Sequence, residues 1–326
     1  MSADLIIEAR DLRKYFPTGA SKLLQRPTNV VQAVDDVSFG VRRGTTLGVV
    51  GESGCGKSTL GRLVARLIEP TAGQVLLDGV DVTAAKPRQL LELRREIQVV
   101  FQDPYACLNP RHSIGESIGT PIRVQKTLDR VGERRRVQEL MELVGLNPEH
   151  YNRFPHEFSG GQRQRAGIAR ALALSPKVII ADEPVSALDV SIQSQILNLL
   201  ENLQKEFSLS YMFIAHDLSV VRHIADEVAV MYLGKIVETG STESVYSRAS
   251  HPYTRALMSA VPVPDPQAAS GRKRIVLTGE VPSPVNPPSG CRFRTRCPKA
   301  QDICAQAEPR LEDRGAGHLV ACHFPD

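Results

Sequence analysis

Gly51-Glu52-Ser53-Gly54-Cys55-Gly56-Lys57-Ser58-Thr59 is the stretch whose reading decides the fold. It fits the pattern G-x-x-x-x-G-K-[ST], and Thr46-Leu47-Gly48-Val49-Val50 before it reads as a short buried strand, the context that pattern requires. Glycines at 51, 54 and 56 free successive backbone N–H groups to turn inward as an anion nest. Lys57 then reaches the β- and γ-phosphates of a nucleotide and Ser58 offers its hydroxyl to Mg²⁺, with Ser53, Cys55 and Thr59 completing the loop. Leu60, Leu63, Val64, Leu67 and Ile68 recur at helical spacing, so a helix is expected whose N-terminal dipole faces the same phosphates.

The 326 residues, with an ordinary apolar fraction, can bury one large core and leave a smaller tail. A net charge of +4, spread along the chain, gives no reason to expect nucleic acid; the one basic block, Arg134-Arg135-Arg136, reads as a solvated helix face. Met1-Ser2-Ala3-Asp4 lacks the basic and apolar segments of a leader, and no apolar run approaches the roughly 18 residues of a membrane span. A cytoplasmic, soluble chain is expected, in which the six cysteines are reduced. Cys55 and Cys107 stand alone; Cys291, Cys297, Cys304 and Cys322 crowd the last 36 residues.

Outward from the phosphate loop, Leu5–Ala9 and Val37–Val41 read as strands of an antiparallel edge, separated by a loop rich in Pro, Gly and Lys, and Val75–Gly79 reads as another strand. From there to about residue 165 the pattern is helical. Strands return at Val178–Ala181 and Tyr211–Ala215 around a helical run from Ile192 to Phe207. Continuous apolar strands alternating with helices predict an α/β fold with a parallel sheet covered on both faces. From Val261 the composition shifts to Pro, Gly and basic residues, marking a linker into the tail. The expected division is 1–260 for the main domain, with a helical part over about 102–165, and 261–326 for the linker and extension.

Two further elements carry chemistry. Asp182-Glu183 ends an apolar strand, the place beside a phosphate loop where a metal is held; Asp182 is expected to bind Mg²⁺, directly or through water, leaving Glu183 free to polarise the attacking water. Ser159-Gly160-Gly161-Gln162 leads into the helix Ala166–Leu174 with Ser159 as its cap, a second anion-binding helix start. One domain offers it no second nucleotide, so it is expected to close over the nucleotide of another subunit.

Phosphate loop, Gln102, Ser159-Gly160-Gly161-Gln162, Asp182-Glu183, Ser186-Ala187-Leu188-Asp189 and His216, in that order, resemble the nucleotide-binding subunit of an ABC transporter over residues 5 to about 260. The resemblance implies a P-loop NTPase domain of the ABC type with an antiparallel edge, a helical subdomain and intact ATPase chemistry. It implies that Phe16, or alternatively Tyr15, stacks on adenine, and that Gln102 links Mg²⁺ and water to the helical subdomain that meets the membrane partner. Ser159, Gly160 and Gly161 would bind the γ-phosphate across a dimer, Asp189 would bridge the interface, and His216 would hold the γ-phosphate.

His251-Pro252-Tyr253-Thr254-Arg255-Ala256-Leu257, Pro282–Pro288, Gly290-Cys291 and Arg296-Cys297-Pro298 are similar to the C-terminal extension of the dipeptide and oligopeptide importers, a branch that also includes importers of nickel and oligosaccharides. This similarity implies ATP-driven peptide import across a bacterial inner membrane, with two transmembrane permease subunits, a second ATPase subunit that the family makes a paralogue, and a periplasmic binding protein as partners. The rivals are an assembly ATPase of an enzyme complex and a soluble ABC ATPase acting on DNA or the ribosome, which would need a tandem domain or long coiled coil that is not present. The four tail cysteines are expected to bind metal, because so small a module can scarcely fold without a staple. Their spacings, C-x5-C, C-x6-C and C-x17-C, lack the C-x2-C knuckle of most zinc sites, and the tail resembled is associated with a [4Fe–4S] cluster, so iron–sulfur is placed ahead of zinc, with His318 and His323 as bystanders.

Overall fold

Val178-Ile179-Ile180-Ala181-Asp182 has no polar face to give to water, and it is fully covered on both sides. It lies inside an eight-stranded sheet. The computed structural model describes residues 4–18, 29–103, 107–261 and 275–326.

The chain opens with β1 (Leu5–Thr18), β2 (Asn29–Arg42) and β3 (Thr46–Val50), then α1 (Lys57–Val64), β4 (Ala72–Leu77), β5 (Val80–Asp81), α2 (Pro87–Glu96) and β6 (Ile97–Val100). A helical segment follows, α3 (Ile114–Gln125), α4 (Arg130–Leu143) and α5 (Gly160–Leu172). After it come β7 (Val178–Asp182), α6 (Val190–Phe207), β8 (Ser210–Ala215), α7 (Leu218–Ile224), β9 (Glu227–Tyr232) and β10 (Lys235–Ser241). The described chain closes with α8 (Thr242–Ser247), α9 (Pro252–Ser259), α10 (Asp302–Gln306), β11 (Glu312–Asp313) and β12 (Leu319–Val320).

β2-β1-β4-β5 form an antiparallel sheet, and β11-β12-β10-β9-β3-β8-β7-β6 the central one. In the latter β3 pairs parallel with both β8 and β9, and β7 with both β8 and β6. One core fills the space between the central and antiparallel sheets (Ile7, Leu12, Val34, Leu60, Ile214); the other packs the helical segment and α6 against the opposite face (Ile114, Ile118, Leu140, Ile196, Phe213). The extension joins the same sheet: β12 pairs with β10 at Glu238–Val320 and Thr239–Leu319.

Several elements differ from the sequence expectation. α1 ends at Val64, where Ala65 caps it and Arg66 turns left-handed, so Leu67 and Ile68 lie beyond the helix and Leu67 is exposed. The strand expected at Val75–Gly79 begins earlier, and Asp78 and Gly79 form a turn, both with positive φ. The stretch expected to be helical throughout contains β6, whose four residues Ile97-Gln98-Val99-Val100 are too short for a periodicity to show. β9 and β10 carried no sequence expectation. The helix of the Ser-Gly-Gly-Gln element includes both glycines in its first turn and ends at Leu172. Arg134 and Arg135 lie on the exposed face of α4, as expected. The Pro- and Lys-containing loop at 19–28, residues 104–106 within the stretch expected to be helical, and the linker over 262–274 fall outside the described residues.

Candidate nucleotide site

The loop between β3 and α1 needs backbone that only glycine adopts without strain. Gly56 caps α1 with φ +108, and a Cβ there would collide with the Ala33 carbonyl oxygen of β2. Gly51 has φ +153, and its Cβ would meet the Met231 carbonyl oxygen at the end of β9. The loop is thus seated between two strands. Lys57 is almost wholly buried, its Nζ donating to the carbonyls of Gly51 at 2.8 Å and Glu52 at 3.0 Å.

A cavity of about 630 Å³ opens above this loop, large enough for a nucleotide. Ser53, Gly54, Gly56, Lys57, Ser58 and Thr59 form its floor, and Gln102, Glu183 and His216 line it from the ends of β6, β7 and β8. Phe16 lines it from β1, with the Lys14 ammonium 5.0 Å from its ring centroid. Tyr15 does not line it: its hydroxyl donates to Asp35, and burial first, then that bond, push its pKa up to about 12. Cys55 also turns away, into the core beneath the loop.

Ser58 Oγ donates to Asp182 Oδ1 at 2.8 Å. Asp182 is buried, and that burial raises its pKa despite the serine bond. A desolvated carboxylate beside a hydroxyl is a donor pair that a hard divalent cation satisfies, so the residues present fit Mg²⁺. Glu183, one residue on, has φ +48, a left-handed backbone that costs a non-glycine residue of order 1–3 kcal/mol and clusters at functional positions. The turn holds its side chain in the cavity, where Gln102 Nε2 donates to Oε2 at 2.8 Å and His216 Nδ1 lies 3.3 Å from the same oxygen. β6, β7 and β8 therefore bring Gln102, Glu183 and His216 to one carboxylate.

Ser159, Gly160, Gly161, Gln162 and Asp189 lie off this cavity. Ser159 caps α5 in a closed box: its Oγ accepts from Gln162 N at 3.3 Å and its N–H donates to Gln162 Oε1 at 2.9 Å. A Cβ on Gly161 would stand 2.6 Å from Ile192 Cγ2, so the starts of α5 and α6 are pressed together and share an exposed rim. Asp189 caps α6, its pKa lowered by the Ile192 N–H and then the Ser191 hydroxyl.

Burial pushes the pKa of Cys291 up to about 11 and raises those of Cys297 and Cys322, with neighbouring tail thiols adding to the shift. Among the described residues no group of three or more His, Cys, Asp and Glu is placed to hold a metal ion, so the expected iron–sulfur centre lacks a formed ligand set. Cys304 is buried and the other three are partly buried, an arrangement that packing as small apolar side chains accounts for. His318 and His323 have other partners: His318 Nε2 is 2.7 Å from Glu238 Oε1, and His323 Nε2 is 3.0 Å from the Ala307 carbonyl.

Sequence reasoning missed Glu238, fully buried and accepting from the N–H groups of Ser250 and His251 as well as meeting His318. It also missed Glu52, Arg292, Arg296 and Pro284 as neighbours of the site. Their signal was present in the tail motifs, but only the fold brings residue 296 to residue 52.

The sequence pattern of the ABC transporter family matches residues 34–186, and that of the oligopeptide/dipeptide transporter C-terminal region matches residues 237–304. The chain is 54% identical over 322 residues to the oligopeptide transport ATP-binding protein AppF of Bacillus subtilis, covering 98% of each chain. It is 50% identical over 321 residues to the dipeptide transport ATP-binding protein DppF of Escherichia coli, covering 98% of this chain and 95% of that one. Among solved structures, the dimeric post-hydrolysis state of the ATP-binding cassette MJ0796 bound to ADP and Pi aligns with a TM-score of 0.64 and 27% identity, over 72% of this chain and 98% of that one. The cassette cbiO1 of Clostridium perfringens aligns with the same TM-score over 75% of this chain and 92% of its own. Motif order, fold and similarity along nearly the whole chain agree, and the chain belongs to the ATP-binding subunits of ABC transporters, in their oligopeptide/dipeptide branch.

Proposed function

We propose that this chain hydrolyses ATP to drive import of dipeptides or oligopeptides as the ATPase subunit of an ABC transporter. The observation that carries the reading is the convergence on one cavity of phosphate loop, Ser58 (whose hydroxyl donates to Asp182) and Gln102–Glu183–His216 cluster, in a chain whose C-terminal region is of the peptide-transporter type. That region and the relatives favour peptides over nickel, oligosaccharide or an assembly role.

Lys57 and the loop N–H groups hold the β- and γ-phosphates, and Phe16 rather than Tyr15 stacks on adenine. Ser58 and Asp182, with Gln102, hold Mg²⁺, which when bound neutralises phosphate charge. Glu183 orients and deprotonates the water that attacks the γ-phosphorus in line, and His216 holds the γ-phosphate as its bond to ADP breaks. Ser159, Gly160, Gly161 and Gln162, with Asp189 on the same rim, close over nucleotide bound by a neighbouring ATPase subunit, which we take to be a paralogue.

The division is an ATPase domain to about residue 260, its helical subdomain over about 102–165 meeting the permeases, and the extension from 261. Among the described residues no helix is long and apolar enough to cross a membrane, which suits peripheral attachment to the cytoplasmic face of the inner membrane through two permease subunits, with a periplasmic binding protein delivering peptide. Purified complex of this chain with two polytopic subunits should show ATPase activity stimulated by peptide-loaded binding protein; stimulation by nickel or sugar instead would overturn the substrate.

We also propose that Cys291, Cys297, Cys304 and Cys322 take up a thiophilic centre, a [4Fe–4S] cluster before zinc. Four thiols on one short module are the donor set, and rearrangement would have to bring them together. Anaerobically purified protein should be brown and lose its colour in Cys297→Ser. Stoichiometric zinc would transfer the proposal to zinc, and metal-free protein would end it.

A further inference from the structure

Glu52 stands inside the phosphate loop, yet it is fastened from outside at both ends. Its N–H donates to Tyr253 Oη at 2.9 Å, and its carboxylate receives Arg296 Nη1 at 2.7 Å and Nη2 at 3.1 Å. Neither partner can drift. Tyr253 is wholly buried, packed edge-on against Tyr232 at 4.7 Å between centroids and tilted against Phe293 at 5.4 Å. The Arg296 side chain is also buried, 6.0 Å from the Tyr232 ring centroid.

The same segment grips the cassette twice more. Arg292 donates to the Leu233 carbonyl at 2.6 Å and to Gln32 Oε1 at 2.5 Å, and pairs with Asp35, the acceptor of the Tyr15 hydroxyl. The Pro284 carbonyl accepts from Gln32 N–H at 3.0 Å, and Pro284 lines the nucleotide cavity with Phe16, Val31 and Ala33.

We propose that Arg296 is a positioning residue for ATP: acting through Glu52 it sets the conformation of the phosphate loop, which makes the C-terminal extension a working part of the nucleotide site. This rests on the reading of the cavity as the ATP site. A carboxylate in a loop that receives a polyanion would repel it, and a bidentate guanidinium both cancels that charge and holds it to one side. Lys57 Nζ donates to the Glu52 carbonyl, so a displaced Glu52 displaces the ammonium that meets the phosphates. Arg292 and Arg296 adjoin Cys291 and Cys297 in sequence, so whatever fixes those thiols fixes the two arginines as well.

The test is nucleotide affinity and steady-state ATPase of the full chain in its transporter complex. Arg296→Ala should raise the Kd of a fluorescent ATP analogue and the KM for ATP by about 3- to 30-fold, with kcat within about twofold, the scale of coupling within one ion-pair network. Arg296→Lys, which keeps the fold and charge but not the paired geometry, should fall between. In a Glu52→Ala background, Arg296→Ala should change affinity no further. Wild-type affinity in Arg296→Lys and Arg296→Ala, or fully additive losses in the double variant, would overturn the proposal. Lys57→Ala runs in parallel: unchanged affinity there refutes the cavity as the ATP site, whereas loss at Lys57 with none at Arg296 refutes the positioning role alone.

Discussion

Glu183 can be tested in a way that separates its backbone from its carboxylate. Glu183→Gln keeps side-chain length and the φ of +48, and its amide oxygen can still accept from Gln102 Nε2, which now lies 2.8 Å from Oε2. Proton acceptance is lost together with one negative charge. A positioned base contributes about 10²- to 10⁴-fold, or roughly 2.7–5.4 kcal/mol of activation free energy, so turnover should fall by that factor. Affinity for Mg-ATP should hold, because Asp182 and Ser58 make the metal-facing pair without Glu183. Glu183→Gly is the companion. It releases about 1–3 kcal/mol of left-handed strain and gives back about 0.5–1 kcal/mol of unfolded-chain entropy, leaving a melting temperature equal to or above the parent's in an inactive protein. Single-turnover ATP hydrolysis, equilibrium nucleotide binding and thermal melts read the three quantities. Parent-like turnover in Glu183→Gln would remove Glu183 from the base role, and a clearly lower melting temperature in Glu183→Gly would refute the strain argument.

Asp182→Asn should weaken nucleotide binding in Mg²⁺ far more than in EDTA, measured by titration under both conditions, since it deletes the buried carboxylate facing Ser58. Gly56→Ala should abolish nucleotide binding while leaving the far-ultraviolet dichroism largely native, because its Cβ strikes the Ala33 carbonyl of β2 at φ +108. His251 is buried and held neutral, with its pKa depressed to about 3, and its Nδ1 accepts from Tyr253 N–H at 3.1 Å. The unfolded chain binds that proton near the ordinary 6.5, so stability is full above 6.5 and falls by about 1.4 kcal/mol per pH unit as pH drops from there toward 3. Denaturant titrations should show that slope flattened in His251→Asn, which keeps the cap; an unchanged slope would assign acid lability elsewhere.

The parallel sheet was legible because β3, β7 and β8 are apolar on both faces, a pattern with few other solutions. The phosphate loop, Gln102, Asp182-Glu183 and His216 were legible as motifs, and the strand order explains why: each sits at the end of a parallel strand, and the sheet delivers them to one place. β6 was missed because four residues carry no period, whereas β9 and β10 form a local hairpin turning at Leu233 and Gly234, both with positive φ, a signal present in the sequence but not used. The choice between Tyr15 and Phe16 could not be read from adjacent aromatics on one strand; opposite side-chain directions and the Asp35 acceptor separate them. The Glu52–Arg296 pair spans too much chain for any local pattern to announce it.

β12 covers the hydrogen-bonding edge of β10, and β11 covers β12 with only Glu312 and Asp313, both exposed. Two charged residues make a poor template for another chain, so the nucleotide-binding sheet ends in a blunt border. Cys322 follows that border by two residues, and Cys304 precedes it. Loosening the thiol-bearing segment would therefore bare the β10 edge, whose Ile236 and Val237 are now buried, and offer it to the next molecule. Damage to those thiols should show first as self-association of otherwise folded protein, with the extension acting as the sheet's guard against its own kind.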